Sequence, residues 1–217
     1  QHFPHPLPFH CRTLRTTGVP ESIAQQRLAP RLAPWVARGL ELGYCARPGE
    51  VDIRLAATTP GPFYVRLGRA TLPLIYDDDY AFELGRARVL REGVHVTLAA
   101  CGVMVEQALA AADALALEGV HAEVLDVSTV KPLPADQIAA SARKTGAVVT
   151  CEEHSIIGGL GSAVAEALGE LAPVPLARVG VRDVFGTSGE PAELMEHFGL
   201  TGAHIAAAAR ELLARRR

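Results

Sequence analysis

From Gly85 onward the sequence alternates between short apolar runs and longer stretches with helical spacing, and this alternation limits the fold more than any other feature. The strand-like runs are Arg86–Leu90, His95–Ala100, His121–Val127, Ala147–Glu152 and Leu176–Val181. Several are almost continuously apolar, as expected of strands covered on both faces. Between and after them lie Val103–Leu117, Pro134–Lys144, Leu160–Leu171, Pro191–Phe198 and His204–Arg215. The first of these puts Val105, Leu109, Ala112 and Leu115 on one face at helical spacing. Gly119 and Gly146 stand where helices end, and Pro191 stands in a first turn. Strands alternating with helices predict an α/β fold, a sheet with helices on both faces.

Composition narrows the function classes. The chain has 217 residues, a formal net charge of -3 and 49% hydrophobic residues, which suits one or two globular domains. The small net charge gives no reason to expect nucleic acid or a membrane surface as a partner. No apolar run reaches the ~18 residues of a membrane span, and the first residues lack a basic-then-apolar signal pattern. Cys11, Cys45, Cys101 and Cys151 are scattered, with no CxxC spacing, so neither a zinc site nor a disulfide framework is expected. The expected compartment is cytoplasmic.

Residues 1–55 read differently from the rest. Pro4, Pro6, Pro8, Pro20, Pro30, Pro34 and Pro48 interrupt them, and Pro breaks helices and sheet ladders alike. The amphipathic candidates, Glu21–Ala29 and Trp35–Leu42, are short. This span is expected to be an atypical Pro/Arg-rich segment: disordered, a genuine extension, a truncated domain, or an artefact of a wrong reading frame.

In Thr59–Arg69 a Pro-Gly-Pro turn precedes a short strand, Phe63–Leu67, and Arg66 and Arg69 flank the place where strand becomes loop. A guanidinium held at a strand end can pair bidentately with phosphate or carboxylate, or serve as a surface or interface arginine. The stretch 71–84 reads as a linker. Its Asp77, Asp78 and Asp79 repel one another and resist burial, which favours a solvated segment over a metal-binding acid cluster.

The run Thr150–Ala163 is a strand closing in Glu152, Glu153 and His154, followed by a glycine-rich turn, Gly158–Gly161, that opens a helix. Three chemical readings compete with a structural or interface role. His154 could transfer protons, since imidazole titrates near neutral pH. Glu152, Glu153 and His154 could ligate a metal. The turn could bind an anion at the helix N-terminus. Two further runs are shaped by turns: Thr129–Pro134 by its proline pair, and Val179–Gly189 by glycines, with Asp183 expected to pair with Arg182 or to cap backbone. Thr201 is expected to cap the last helix.

PGPFYVRLGRATLPLIYDDDY, residues 60–80, resembles the junction between the pyrimidine-binding and carboxy-terminal domains of transketolases. EEHS…GGLGSAVAE from Glu152, TVKPL from Thr129, and the FG…SG and FGLT runs resemble that family's carboxy-terminal domain. The resemblance spans about residues 56–217. It implies a three-layer α/β/α domain with a mixed five-stranded sheet, whose antiparallel strand is assigned to Arg86–Leu90. It also implies that residues 56–70 are the last strand of a pyrimidine-binding domain and 85–217 the carboxy-terminal domain. At the position of Arg69 the family places a contact to the substrate's phosphate, and the related deoxyxylulose-phosphate synthases have an Arg-x-x-Arg pattern that Arg66 and Arg69 satisfy. In the family, Glu152, Glu153 and His154 belong to a structural strand–turn–helix, at an interface or the edge of a site.

Transketolases hold thiamine diphosphate and Mg through a Gly-Asp-Gly…Asn signature and activate the cofactor with a Glu of the pyrimidine-binding domain. Neither is found here, so no catalytic, cofactor-binding or metal residue is assigned, and this chain alone is not expected to bind the cofactor. The implied function is two-carbon ketol transfer between sugar phosphates, carried out with an amino-terminal subunit or domain in a homo- or hetero-oligomer. The alternatives are the corresponding part of a 2-oxo-acid dehydrogenase beta subunit or of a deoxyxylulose-phosphate synthase, or a non-catalytic assembly module.

Overall fold

A computed structural model describes residues 12–17, 30, 33, 43–47, 50–55, 75, 76 and 83–215. The chain divides into two units, Gln1–Thr71 and Leu72–Arg217. In the first, β1 (Arg12–Thr17), β2 (Gly43–Arg47) and β3 (Glu50–Leu55) form an antiparallel sheet in the order β1-β3-β2. The short amphipathic candidates Glu21–Ala29 and Trp35–Leu42 and the strand expected at Phe63–Leu67 lie outside the described residues, as do Asp77, Asp78 and Asp79.

The second unit contains β4 (Arg88–Arg91), β5 (Val96–Ala100), β6 (Ala122–Asp126), β7 (Val148–Ser155) and β8 (Leu176–Val181) in one sheet, ordered β4-β6-β5-β7-β8. β4 runs antiparallel to β6, and the other pairs are parallel. This is the mixed five-stranded sheet implied by the resemblance. The helices are α1 (Met104–Ala116), α2 (Ala135–Thr145), α3 (Leu160–Leu171), α4 (Pro191–His197) and α5 (Gly202–Arg215).

Every residue of β5 and β6 is buried, Thr97, Glu123 and Asp126 included, as expected of strands covered on both faces. Their side chains feed two cores. One joins Val96, Leu98 and Ala100 to Val105, Ala108 and Leu115 of α1 and to Ile205 and Ala209 of α5. The other joins Ala99, Leu125 and Val148 to Ile138 of α2 and to Leu160 and Val164 of α3. Helix pairs therefore cover opposite faces of the sheet, giving three layers. The helical face read from sequence holds for Val105, Ala112 and Leu115, with Leu109 packed at the core's margin.

Two of the boundaries that differ from the sequence reading have a tertiary cause. β7 continues to Ser155 rather than stopping at Glu152, because a register shift between Cys151 and Ser155 lets Ser155 pair with Val181. Glu152, Glu153 and His154 thus lie within the strand and its irregularity. α5 begins at Gly202 rather than His204, despite glycine's poor helix propensity. The Gly202 N–H donates to Gln107 Oε1 of α1 at 2.9 Å, and a Cβ here would lie 3.0 Å from the Gln107 carbonyl. Close approach to α1 selects glycine. The Thr201 hydroxyl, expected as the cap, is hydrogen-bonded to His204 Nδ1 at 2.8 Å.

Candidate functional site

Of the polar groups that the sequence singled out, Glu152, Glu153 and His154 lie at the carboxyl end of β7. In an open α/β sheet, ligands lie beyond the carboxyl ends of the strands, at the point where strand order reverses. Here that point falls between β5 and β7, with Ala100 in register with Cys151.

Glu152 follows Cys151 and is 1% exposed. Its carboxylate accepts two backbone hydrogen bonds at 2.7 Å: the Leu160 N–H gives to Oε2 and the Gly161 N–H to Oε1. The first N–H groups of a helix have no partner within it, and the helix dipole favours negative charge there. The glycine-rich turn is therefore an anion site whose anion is supplied by the chain itself. The surrounding glycines are needed for space. A Cβ on Gly159 would lie 2.0 Å from Glu152 Oε2, and one on Gly180 would lie 3.2 Å from Glu152 Cγ.

His154 is 46% exposed at its side chain, and its Nδ1 donates to the Ser155 carbonyl at 2.8 Å, so that nitrogen carries the proton. Nδ1 stands 4.0 Å from Glu152 Oε2. With both carboxylate oxygens of Glu152 engaged by amides and Nδ1 engaged as a donor, the three residues are not arranged as a metal-ligand set. Among the described residues no three His, Cys, Asp or Glu groups converge in a way that could hold a metal ion. Glu153 is exposed. Burial, reinforced by Cys101 and Glu152 nearby, raises the Cys151 thiol well above its ordinary range, so it stays protonated and serves as a packed apolar group.

At the end of β6 stands a cluster not foreseen from the sequence. Asp126 is 7% exposed, and its carboxylate accepts a hydrogen bond from the Tyr76 hydroxyl. The Arg88 guanidinium of β4 lies 5.5 Å above the Tyr76 ring, and Arg88 is in register with Asp126. Burial raises the Asp126 carboxyl above its ordinary range, and the Tyr76 hydrogen bond and the Arg88 charge oppose that rise. The only advance signal was a pair of acids, Glu123 and Asp126, in a strand whose other residues are apolar.

A groove of about 480 Å³ runs between the turn at Val130 and Lys131 and α3, where Ser162, Glu166 and Glu170 line it. On the loops after β7 and β8, Ile157 and Val184 are exposed and Phe185 is fully so. Asp183, in the left-handed region at φ 50°, makes no ion pair with Arg182 among the described residues. Arg66 and Arg69, the residues expected to meet phosphate, lie outside the described residues.

The family model for the transketolase carboxy-terminal domain matches residues 85–205, more than half of the chain. The chain belongs to the transketolase family. Similar proteins include the 6-deoxy-6-sulfo-D-fructose transketolase subunit SqwH of Clostridium sp. (strain MSTE9). It is 54% identical over 156 residues, which are 72% of this chain and 48% of that protein. An apulose-4-phosphate transketolase subunit of Phocaeicola vulgatus is 40% identical over 156 residues, 71% of this chain and 50% of that protein. A split-gene transketolase solved as an inactive beta4 tetramer has 50% identity and a TM-score of 0.70, covering 72% of this chain and 52% of its own. The chain thus spans about half the length of the curated transketolase relatives it matches. Among the described residues no helix is long and apolar enough to cross a membrane.

Proposed function

We propose that this chain is the carboxy-terminal part of a cytoplasmic, two-part transketolase, which transfers two-carbon ketol units between sugar phosphates only when assembled with an amino-terminal subunit. The observation that carries this reading is the similarity to separate transketolase subunits, about half of each being matched. That these relatives are transketolases favours ketol transfer over 2-oxo-acid oxidation. The relative solved as a beta4 tetramer supports self-association of this chain as well.

Thiamine diphosphate and Mg belong to the assembled enzyme in this reading. The described residues do not fit the cofactor's diphosphate. The glycine-rich turn that could have received it is filled by the Glu152 carboxylate, which would repel a second anion. The cofactor is assigned to the rest of the assembly, the pyrimidine-binding domain included, and no step is routed through the described residues of this chain.

Arg69 is the residue of this chain proposed to meet substrate, by pairing with the phosphate of the sugar, with Arg66 beside it. A charge-assisted hydrogen bond is worth roughly 1.5–3 kcal/mol, about ten- to a hundred-fold in affinity. In the enzyme reconstituted from both subunits, Arg69→Ala should lower kcat/KM by that factor for a phosphorylated ketose and leave an unphosphorylated one nearly untouched. An equal loss on both would make Arg69 structural. Absence of ketol transfer from a wild-type assembly that also supplies the pyrimidine-binding domain would overturn the function itself.

A further inference from the structure

We infer that Ile75 and Tyr76 form a latch that fixes where the chain leaves the carboxy-terminal unit, with Tyr76 as the positioning residue. The stretch 71–84 reads from sequence as a solvated linker, yet these two residues are both half-buried. Ile75 packs against the core shared by α1 and α5. Tyr76 gives its hydroxyl proton to the buried Asp126 carboxylate at the end of β6 and lays its ring beneath the Arg88 guanidinium of the edge strand β4. The segment is therefore held by three different contacts: apolar burial, a charge-assisted hydrogen bond and a cation–π contact. They draw on two strands and a core rather than on one local turn. Two adjacent residues held in this way have little freedom to swivel, so the chain is pinned to the unit at these two positions. Arg69 lies seven residues before Tyr76. The inference concerns this chain alone and stands whether or not the catalytic reading does.

The chemistry assigns separate parts to each group. Tyr76→Phe keeps the ring under Arg88 and removes only the hydroxyl. Asp126→Asn keeps an acceptor but removes the charge. Arg88→Met removes the cation while leaving the Tyr76–Asp126 hydrogen bond possible. Hydrogen–deuterium exchange of the full chain, followed by mass spectrometry, reads the latch directly. Tyr76→Phe should raise exchange in peptides spanning residues 72–84 by about ten- to a hundred-fold, the equivalent of one hydrogen bond to a charged group. Asp126→Asn and Arg88→Met should raise it less. Amides of β5, β7 and α3 should keep wild-type rates in Tyr76→Phe and Arg88→Met, which separates a local latch from a contribution to overall stability. Unchanged exchange in residues 72–84 of Tyr76→Phe would overturn the inference. So would a rise of the same size in every peptide, since the hydroxyl would then be supporting the fold as a whole.

Discussion

Replacing Glu152 tests how the site at the carboxyl end of β7 is built. Glu152→Ala removes two hydrogen bonds of 2.7 Å from a side chain that is 1% exposed. The Leu160 and Gly161 amides are left buried and unpaired, at about 1–3 kcal/mol each. The lost charge at the helix N-terminus adds up to about 2 kcal/mol. Relief from holding a carboxylate out of water works in the opposite direction, which brings the expected loss to about 3–5 kcal/mol. In a unit of this size each kcal/mol is worth roughly 2–4 °C, so the midpoint should fall by about 6–20 °C. Glu152→Gln offers one acceptor oxygen instead of two and turns its NH2 toward the other amide, so it should fall between wild type and Glu152→Ala. Urea unfolding followed by circular dichroism gives the stability, and hydrogen exchange at Leu160 and Gly161 gives the local effect. A loss below about 1 kcal/mol, with both amides as protected as before, would refute a buried-carboxylate anchor and reopen the turn as a site for an external anion.

Gly159→Ala should destabilise by roughly 2–4 kcal/mol, because its Cβ would lie 2.0 Å from Glu152 Oε2, and most of that loss should vanish in a Glu152→Ala background. A double-mutant cycle with additive losses would contradict the contact. Asp126 should make stability depend on pH. Its folded carboxyl titrates above the unfolded value, so its contribution is complete below the ordinary carboxylate range and is lost as pH rises through the raised value. Tyr76 and Arg88 face it and reduce that loss. Unfolding measured across pH 4 to 7 should show Asp126→Asn gaining on wild type as pH rises, and parallel curves would count against this.

The strands and helices of the second unit were legible because each carries its own period. Leu160–Leu171 and Leu176–Val181 match the sequence reading at both ends. The departures come from partners distant in sequence: Gln107 reaching Gly202, and Val181 pairing with Ser155. The site was legible in part. A glycine-rich turn opening a helix announced exposed N–H groups, but nothing local could tell an external anion from Glu152, eight residues before Leu160. The Tyr76–Asp126 contact joins residues 50 positions apart, beyond the reach of any periodicity.

An α/β unit of this kind has one place where the sheet invites a ligand, the gap between β5 and β7. Helix α3 begins beside that gap, and its first free N–H groups point at a carboxylate grown from β7 itself. The arrangement converts a binding feature into a structural one, since the charge that would attract phosphate is already neutralised within the chain. The neighbouring loops present a fully exposed Phe185 together with Ile157 and Val184. Single exposed apolar residues are ordinary, but three on adjoining loops at one end of a sheet are what subunit contacts use. Filling its own anion site and keeping apolar residues at the same end suit the proposed role, a unit that contributes by assembly and by fixing the chain at Tyr76. In the proposed function the phosphate contact falls to Arg69, before Leu72, which is why Arg69 and Tyr76 are the substitutions that separate catalytic from architectural roles.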